Sequence, residues 1–188
     1  HALDLVKDLD PVRTVANLHY HADQLAAHLG PKGVLLSRED PEILETGGGL
    51  RAALPMLGTD PVFTLNTDAI WSGPNPLTLL QKAWDPSRMD ALLMCVPVAR
   101  TVGHIGSGDF TAEKDGRITR GPGLVYGGAQ ILKTDGLHSF SQTTFSLNLL
   151  WNQMLDQGRL FAVEYPGRWC DVGRPEGIAL AEGLLADV

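Results

Sequence analysis

Ala91 to Val98 is a run of eight residues without one polar side chain, and no other feature of the chain narrows its fold as much. A run this short cannot cross a bilayer, which takes about 20 apolar residues. It shows no alternation of apolar and polar positions, so it reads as a strand covered on both faces. Thr14–Leu18, Val34–Ser37 and Val62–Asn66 read as buried strands too, and Leu160–Glu164 and Arg168–Cys170 as short ones near the end. Between the strands lie helical patterns. Leu3, Val6 and Leu9 share one face of an opening helix, ended by Asp10-Pro11. His21–Leu29 is a helix closed by Gly30-Pro31, and Leu50–Leu54 is a short helix before Pro55. Leu77–Trp84 and Phe145–Gln157 follow, and Pro175-Glu176 starts a last helix that runs to about Leu185. Strands alternating with helices imply an α/β fold with a mostly parallel sheet. Residues 103–133 break the pattern: Asp115-Gly116 between Asp109–Ala112 and Arg117–Thr119 signals a hairpin, and Leu124–Leu132 returns to the sheet.

Composition removes several classes of function. Of 188 residues, 44% are hydrophobic and 20% charged, so the chain buries a core and fits a single domain spanning residues 1–188. The formal charge of −7, with no basic tract, argues against a binder of duplex nucleic acid. Cys95 and Cys170 cannot build a disulfide framework, and two buried thiols in a reducing cytoplasm are the expectation. Gly (21) and Pro (12) exceed average usage, and they cluster between the apolar runs as functional loops do. No membrane partner is expected, and a monomer is reasonable at this size.

Three segments have the composition of sites. Leu44-Glu45-Thr46-Gly47-Gly48-Gly49 opens a helix, where bare backbone amides and the positive end of the dipole favour anions or carbonyl oxygens. Gly47-x-Gly49-x-x-Ala52 also fits a dinucleotide fingerprint, but nine residues separate it from the preceding strand, which disfavours a nicotinamide site. Asn66-Thr67-Asp68 ends a buried strand, the edge at which α/β sheets bind ligands. Asp68 suits Mg²⁺ held on a substrate phosphate, and equally a solvated cap. Asp171, in Trp169-Cys170-Asp171-Val172-Gly173, precedes a helix and favours its dipole; it gains a metal role only if it meets Asp68 in space. His19 and His21 lack further ligands at zinc spacing. Ser141, Thr143 and Thr144 lack partners for a nucleophilic triad.

In their order and spacing, the Glu-Thr-Gly-Gly-Gly run at 45–49, Asn66-Thr67-Asp68, Gly108-Asp109-Phe110 and the Trp-Cys-Asp-Val-Gly run at 169–173 resemble the bacterial sugar-1-phosphate nucleotidyltransferases across essentially the whole chain. Within them the chain is similar to the uridylyltransferases of cell-wall recycling, sequences also often named mannose-1-phosphate guanylyltransferases. The resemblance implies a Rossmann-like three-layer α/β/α sandwich with a mostly parallel mixed sheet. It implies that Gly47, Gly48 and Gly49 lie against the base with Glu45 and Thr46 nearby, and that Asp68 and Asp171 hold Mg²⁺. It further implies that Asn66, Asp109 and the Gly127-Gly128 turn line the sugar pocket, on the side of residues 103–133. The expected partners are a nucleoside triphosphate and a sugar 1-phosphate. The family's first strand and Gly-rich phosphate loop, with its Arg and Lys, have no counterpart here; the chain opens within the helix that follows them. A sugar-nucleotide-binding module without catalysis therefore stands as the alternative to a transferase.

Overall fold

A computed structural model describes residues 1–58 and 61–186. The chain divides into two compact units. One comprises His1–Asp10, Phe63–Leu132 and residues 154–186; the other comprises Pro11–Val62 and Lys133–Gln153.

The first unit is built on β5 (Ala91–Pro97), the wholly apolar run. All of it but Pro97 is buried, as two-sided burial requires. Parallel to it lies β10 (Leu160–Glu164), and antiparallel to it on the other side lies β9 (Leu124–Leu132). β7 (Phe110–Ala112) and β8 (Ile118–Arg120) form the hairpin that Asp115-Gly116 announces, and β7 joins β9. β3 (Val62–Leu65) also pairs with β9. A second sheet has the order β4 (Ala69–Ser72), β11 (Arg168–Asp171), β6 (Thr101–Val102). Here β11 is antiparallel to β4 and parallel to β6. The sheets are thus mixed, with antiparallel pairs as prominent as parallel ones. Continuous apolar strands report burial on two faces and leave direction open. The core gathers Trp71, Leu77, Leu80, Leu92, Met94 and Trp169 among its members, with Leu5 and Val6 of α1 (Ala2–Lys7) packed against it. In α4 (Pro76–Ala83), Asn75 caps the first turn by accepting from the Leu77 amide at 2.9 Å. α6 (Pro175–Ala186) begins at Pro175.

In the second unit β1 (Val15–Leu18) pairs in parallel with β2 (Leu35–Arg38), beside α2 (Ala22–Leu29) and α3 (Glu45–Leu57). Within the expected buried strand Val34–Ser37, only Val34 and Ser37 are buried, and Leu35 is 41% exposed. A ribbon of two strands leaves Leu35 on an open face. α3 is far longer than Leu50–Leu54. It absorbs the three glycines in its first turns, and also Pro55 near its end, where the missing N–H forfeits the helical bond to the Arg51 carbonyl. α5 (Asn148–Asp156) is shorter than Phe145–Gln157. Phe145 and Leu147 are buried ahead of it, and their amides are bonded to Leu44 and Thr46 at the start of α3.

Candidate active site

Asp68 and Asp171, 103 positions apart, are brought together by a strand pair that is not evident in the sequence. β4 starts one residue after Asp68 and runs antiparallel to β11, with Ala69 opposite Asp171. The Val172 amide therefore donates to the Asp68 carbonyl at 2.8 Å. Both side chains are exposed. A Cβ placed on Gly173 lies 3.1 Å from Asp171 Oδ1 and 3.5 Å from Asp68 Oδ2, so both carboxylates reach one small volume that only glycine leaves free. The Gly173 amide donates to Asp171 Oδ1 at 2.9 Å and fixes that carboxylate's rotamer. Behind the pair the start of α6 packs tightly: a Cβ on Gly177 would stand 2.5 Å from the Asp171 carbonyl. No cluster of three or more His, Cys, Asp or Glu suited to a metal exists among the described residues. Two carboxylates alone are the donor set of a Mg²⁺ that takes its remaining ligands from phosphate oxygens and water. On this chemistry the two aspartates fit the ion.

Asn66, Asp109 and Gly127 also meet in the first unit, around a bulge. The β5–β9 register shifts between Met94, opposite Ala129, and Cys95, opposite Tyr126, leaving Gly127 and Gly128 extra in β9. The Gly127-Gly128 feature is thus a β-bulge and not a turn. Bulges bend strands and re-aim side chains next to active sites. Gly128 has φ of 88°, a conformation that favours glycine, and its carbonyl accepts from the Asn66 amide at 2.7 Å. The Gly127 carbonyl accepts from the Trp169 indole at 2.9 Å. Trp71 packs so closely on Gly127 that a Cβ there would meet the ring at 2.4 Å. Asp109 Oδ2 accepts from the Tyr126 amide at 2.9 Å, just before the bulge. Burial, with a smaller contribution from the Asp109 charge, pushes the Cys95 thiol well above its ordinary range. Burial likewise raises Cys170. Neither thiol has the character of a nucleophile.

In the second unit the start of α3 corrects one expectation. The Gly47 and Gly48 amides are not bare: both donate to the Phe145 carbonyl, at 2.9 and 3.1 Å. The three glycines are buried because neighbours press on them. A Cβ would meet the Phe145 ring at 2.5 Å from Gly47, the Thr143 carbonyl at 2.3 Å from Gly48 and Glu39 Oε1 at 2.6 Å from Gly49. The run is a packing device that lets segment 143–147 lie against the helix. Thr46 belongs to the same seam, its Oγ1 accepting from the Leu147 amide at 2.9 Å. Glu45 is exposed, with a positive φ of 59°. Arg51, one turn on, donates to the carbonyls of Phe140 and Gln142 and stacks over Phe145 at 4.8 Å. Two residues here lay outside the sequence-based candidates. Glu39, only 6% exposed, accepts from the Leu44 amide at 2.8 Å and from Asn17 at 2.9 Å. Asn17 stands near the carboxyl end of an apolar strand as Asn66 does, and that shared position was the available signal.

No protein-family model matches the chain. A curated relative does: N-acetylmuramate alpha-1-phosphate uridylyltransferase of Caulobacter vibrioides is 35% identical over 201 residues, spanning 100% of this chain and 83% of the relative. Among solved structures, HddC from Yersinia pseudotuberculosis, complexed with GMP-PN, superposes with a TM-score of 0.73 at 20% identity, covering 96% of this chain and 81% of that one. A Bacillus anthracis protein named as a glucose-1-phosphate thymidylyltransferase, in complex with a sucrose, gives 0.77 at 17% identity over 100% of this chain and 82% of that one. These neighbours show the fold. With a relative of this identity matched over the whole length of this chain, the chain belongs to the sugar-1-phosphate nucleotidyltransferases and is a nucleotidyl-transferring enzyme.

Proposed function

We propose that this enzyme transfers the uridylyl group of UTP to a sugar 1-phosphate, giving a UDP-sugar and pyrophosphate. We take the sugar to be N-acetylmuramate, the reaction to serve cell-wall recycling in the cytoplasm, and the catalyst to be a monomer. The name of the Caulobacter relative supports the substrates. The approach of Asp68 and Asp171 to one point beside Gly173 is the observation that carries the reading.

An oxygen of the sugar phosphate attacks the α-phosphorus of UTP in line, and the bond to the bridging oxygen of the β-phosphate breaks as pyrophosphate leaves. The attacking oxygen is already ionised near neutral pH, so no side chain has to remove a proton. What remains for the protein is positioning and the relief of crowded negative charge. Asp68 and Asp171 would hold Mg²⁺, which when bound supplies Lewis-acid charge neutralisation and a template for the phosphates. A chain with a formal charge of −7 needs such a counter-charge to accept a triphosphate. Asn66, Asp109 and Gly127, tied together by the bulge, take the sugar side. Glu45 and Thr46 take the base side at the start of α3, with Gly47, Gly48 and Gly49 supplying the close packing that shapes it, the Gly47 and Gly48 amides being already bonded.

The test is pyrophosphate release across a matrix of UTP, GTP and dTTP with N-acetylmuramate 1-phosphate and mannose 1-phosphate, with and without EDTA. UTP with the N-acetylmuramate substrate is expected to lead, and EDTA to abolish it. Asp68→Asn and Asp171→Asn are each expected to lower turnover about a hundredfold or more with melting unchanged. Release that is indifferent to both substitutions would remove the two aspartates from the mechanism.

A further inference from the structure

We propose that Asn17 reads the nucleotide base, as an oriented hydrogen-bond acceptor that admits bases carrying a ring N–H and turns away cytosine and adenine. The inference rests on the nucleotidyl-transfer reading above and adds a specificity-determining residue to it.

The Asn17 amide is locked in one sense. Its Nδ2 donates to Glu39 Oε1 at 2.9 Å and to the Gly49 carbonyl at 3.0 Å. That places both of its hydrogens on oxygens, and a backbone carbonyl has no hydrogen to offer in return. Flipping the amide would set Oδ1 against the Gly49 carbonyl, two acceptors face to face. The frame that does the locking is itself buried and bonded. Glu39 is 6% exposed, its other oxygen accepts from the Leu44 amide at 2.8 Å, and its backbone carbonyl meets His19 Nδ1 at 2.8 Å. Asn17 itself is exposed, and its Oδ1 takes no hydrogen bond from the described residues. The result is a single acceptor of fixed direction. It stands near the carboxyl end of a parallel strand, where α/β folds bind ligands, and beside the Gly47–Gly49 turn.

A fixed acceptor discriminates by what it is shown. Uracil and thymine present N3–H and guanine presents N1–H. Cytosine N3 and adenine N1 present a lone pair instead and would leave two acceptors opposed. A site organised around one hydrogen bond rejects a partner that cannot make it more strongly than it rewards one that can.

The experiment compares kcat/KM for UTP and CTP, and for N3-methyl-UTP, in the native enzyme and in Asn17→Ala. The native enzyme is expected to favour UTP over both analogues. In Asn17→Ala that preference should fall about tenfold, as expected for one hydrogen bond. The KM for the sugar 1-phosphate should not move. N3-methyl-UTP needs no variant, so it can overturn the reading even if Asn17→Ala fails to fold, and Asn17→Asp, which keeps an acceptor at this position, then takes the place of Asn17→Ala and should retain the preference for UTP over N3-methyl-UTP. If the native enzyme uses N3-methyl-UTP as well as UTP, or if a folded Asn17→Ala keeps the native preference, the assignment of Asn17 is overturned and the transferase reading stands. If no nucleoside triphosphate yields pyrophosphate, the transferase reading falls and takes this one with it.

Discussion

Replacing Gly48 with Ala and replacing Gly183 with Ala are the same chemical change in two helices, and their effects should have opposite signs. Alanine is favoured over glycine inside a helix by about 1 kcal/mol, mostly through the entropy of the unfolded chain. Around Gly183, in α6, a Cβ meets nothing within 4 Å, so that gain is realised in full. At Gly48 the added Cβ stands 2.3 Å from the Thr143 carbonyl and 3.2 Å from the Leu44 Cβ. Such a contact falls well short of van der Waals separation, and the atom struck is backbone. The Thr143 segment cannot withdraw freely, because Phe145 accepts from the Gly47 and Gly48 amides and Arg51 donates to the neighbouring Gln142 carbonyl. Overpacking typically costs 1–3 kcal/mol, and a backbone clash belongs at the upper end. After the helical gain, a net loss of about 1–2 kcal/mol remains. For a chain of this size that is about 2–8 °C in melting temperature, while Gly183→Ala should rise by about 2–4 °C. Differential scanning calorimetry on the two variants and the parent reads both shifts. A Gly48→Ala protein that melts at or above the parent would refute the packing account of the glycine run.

Arg51→Ala removes the donors that gather the carbonyls of Phe140 and Gln142 together with the stacking on Phe145. Chemical denaturation should show a loss of about 1.5–3 kcal/mol, with Arg51→Lys recovering only part of it because lysine lacks the planar fork. Burial holds the Tyr165 phenol un-ionised up to about 12, and its hydroxyl donates to the Pro74 carbonyl at 3.0 Å. The folded pKa lies above the unfolded value near 10, so the folded state keeps the proton longer and stability falls as pH rises from about 10 towards 12. Tyr165→Phe should make that fall shallower without abolishing it, since desolvation shifts the half-buried Tyr126 in the same direction. Melting curves between pH 9 and 12 provide the check, and an identical slope in the variant would contradict the assignment. Cys95 and Cys170 are both buried with raised pKa, so Ellman's reagent should label neither until denaturant is added. Stoichiometric labelling of the native protein would be inconsistent with the packing described.

Much of the fold was legible because its strands are short and unusually apolar. The run at 91–97 announced its burial, the run at 160–164 its strand, and Asp115-Gly116 its hairpin. What stayed hidden depended on partners distant along the chain. β4 has four residues, Ala69–Ser72, flanked by Asp68 and Gly73-Pro74, and reads locally as loop. It is a strand because β11 pairs with it and because Trp71 packs edge-on against Tyr165 and Trp169. The extent of α3 was hidden for a similar reason. Three glycines and a proline argue against a helix when only propensity is weighed. Segment 143–147, a hundred residues later, provides the close contacts that favour glycine there.

The site shows the same division between residue identity and placement. The two aspartates could be named from the sequence, but their meeting is a property of register. If β4 slipped by one residue against β11, every side chain of β4 would change face and Trp71 would leave the core. Burying Trp71 therefore also fixes where Asp68 stands. Gly173, two residues past the end of β11, completes the arrangement. Its amide orients Asp171, and its missing side chain leaves open the volume that both carboxylates reach. A hydrophobic contact on one face of β4 and an absent methyl group beyond β11 thus set the spacing of two charges, which is why that spacing could not be read from the residues that carry them.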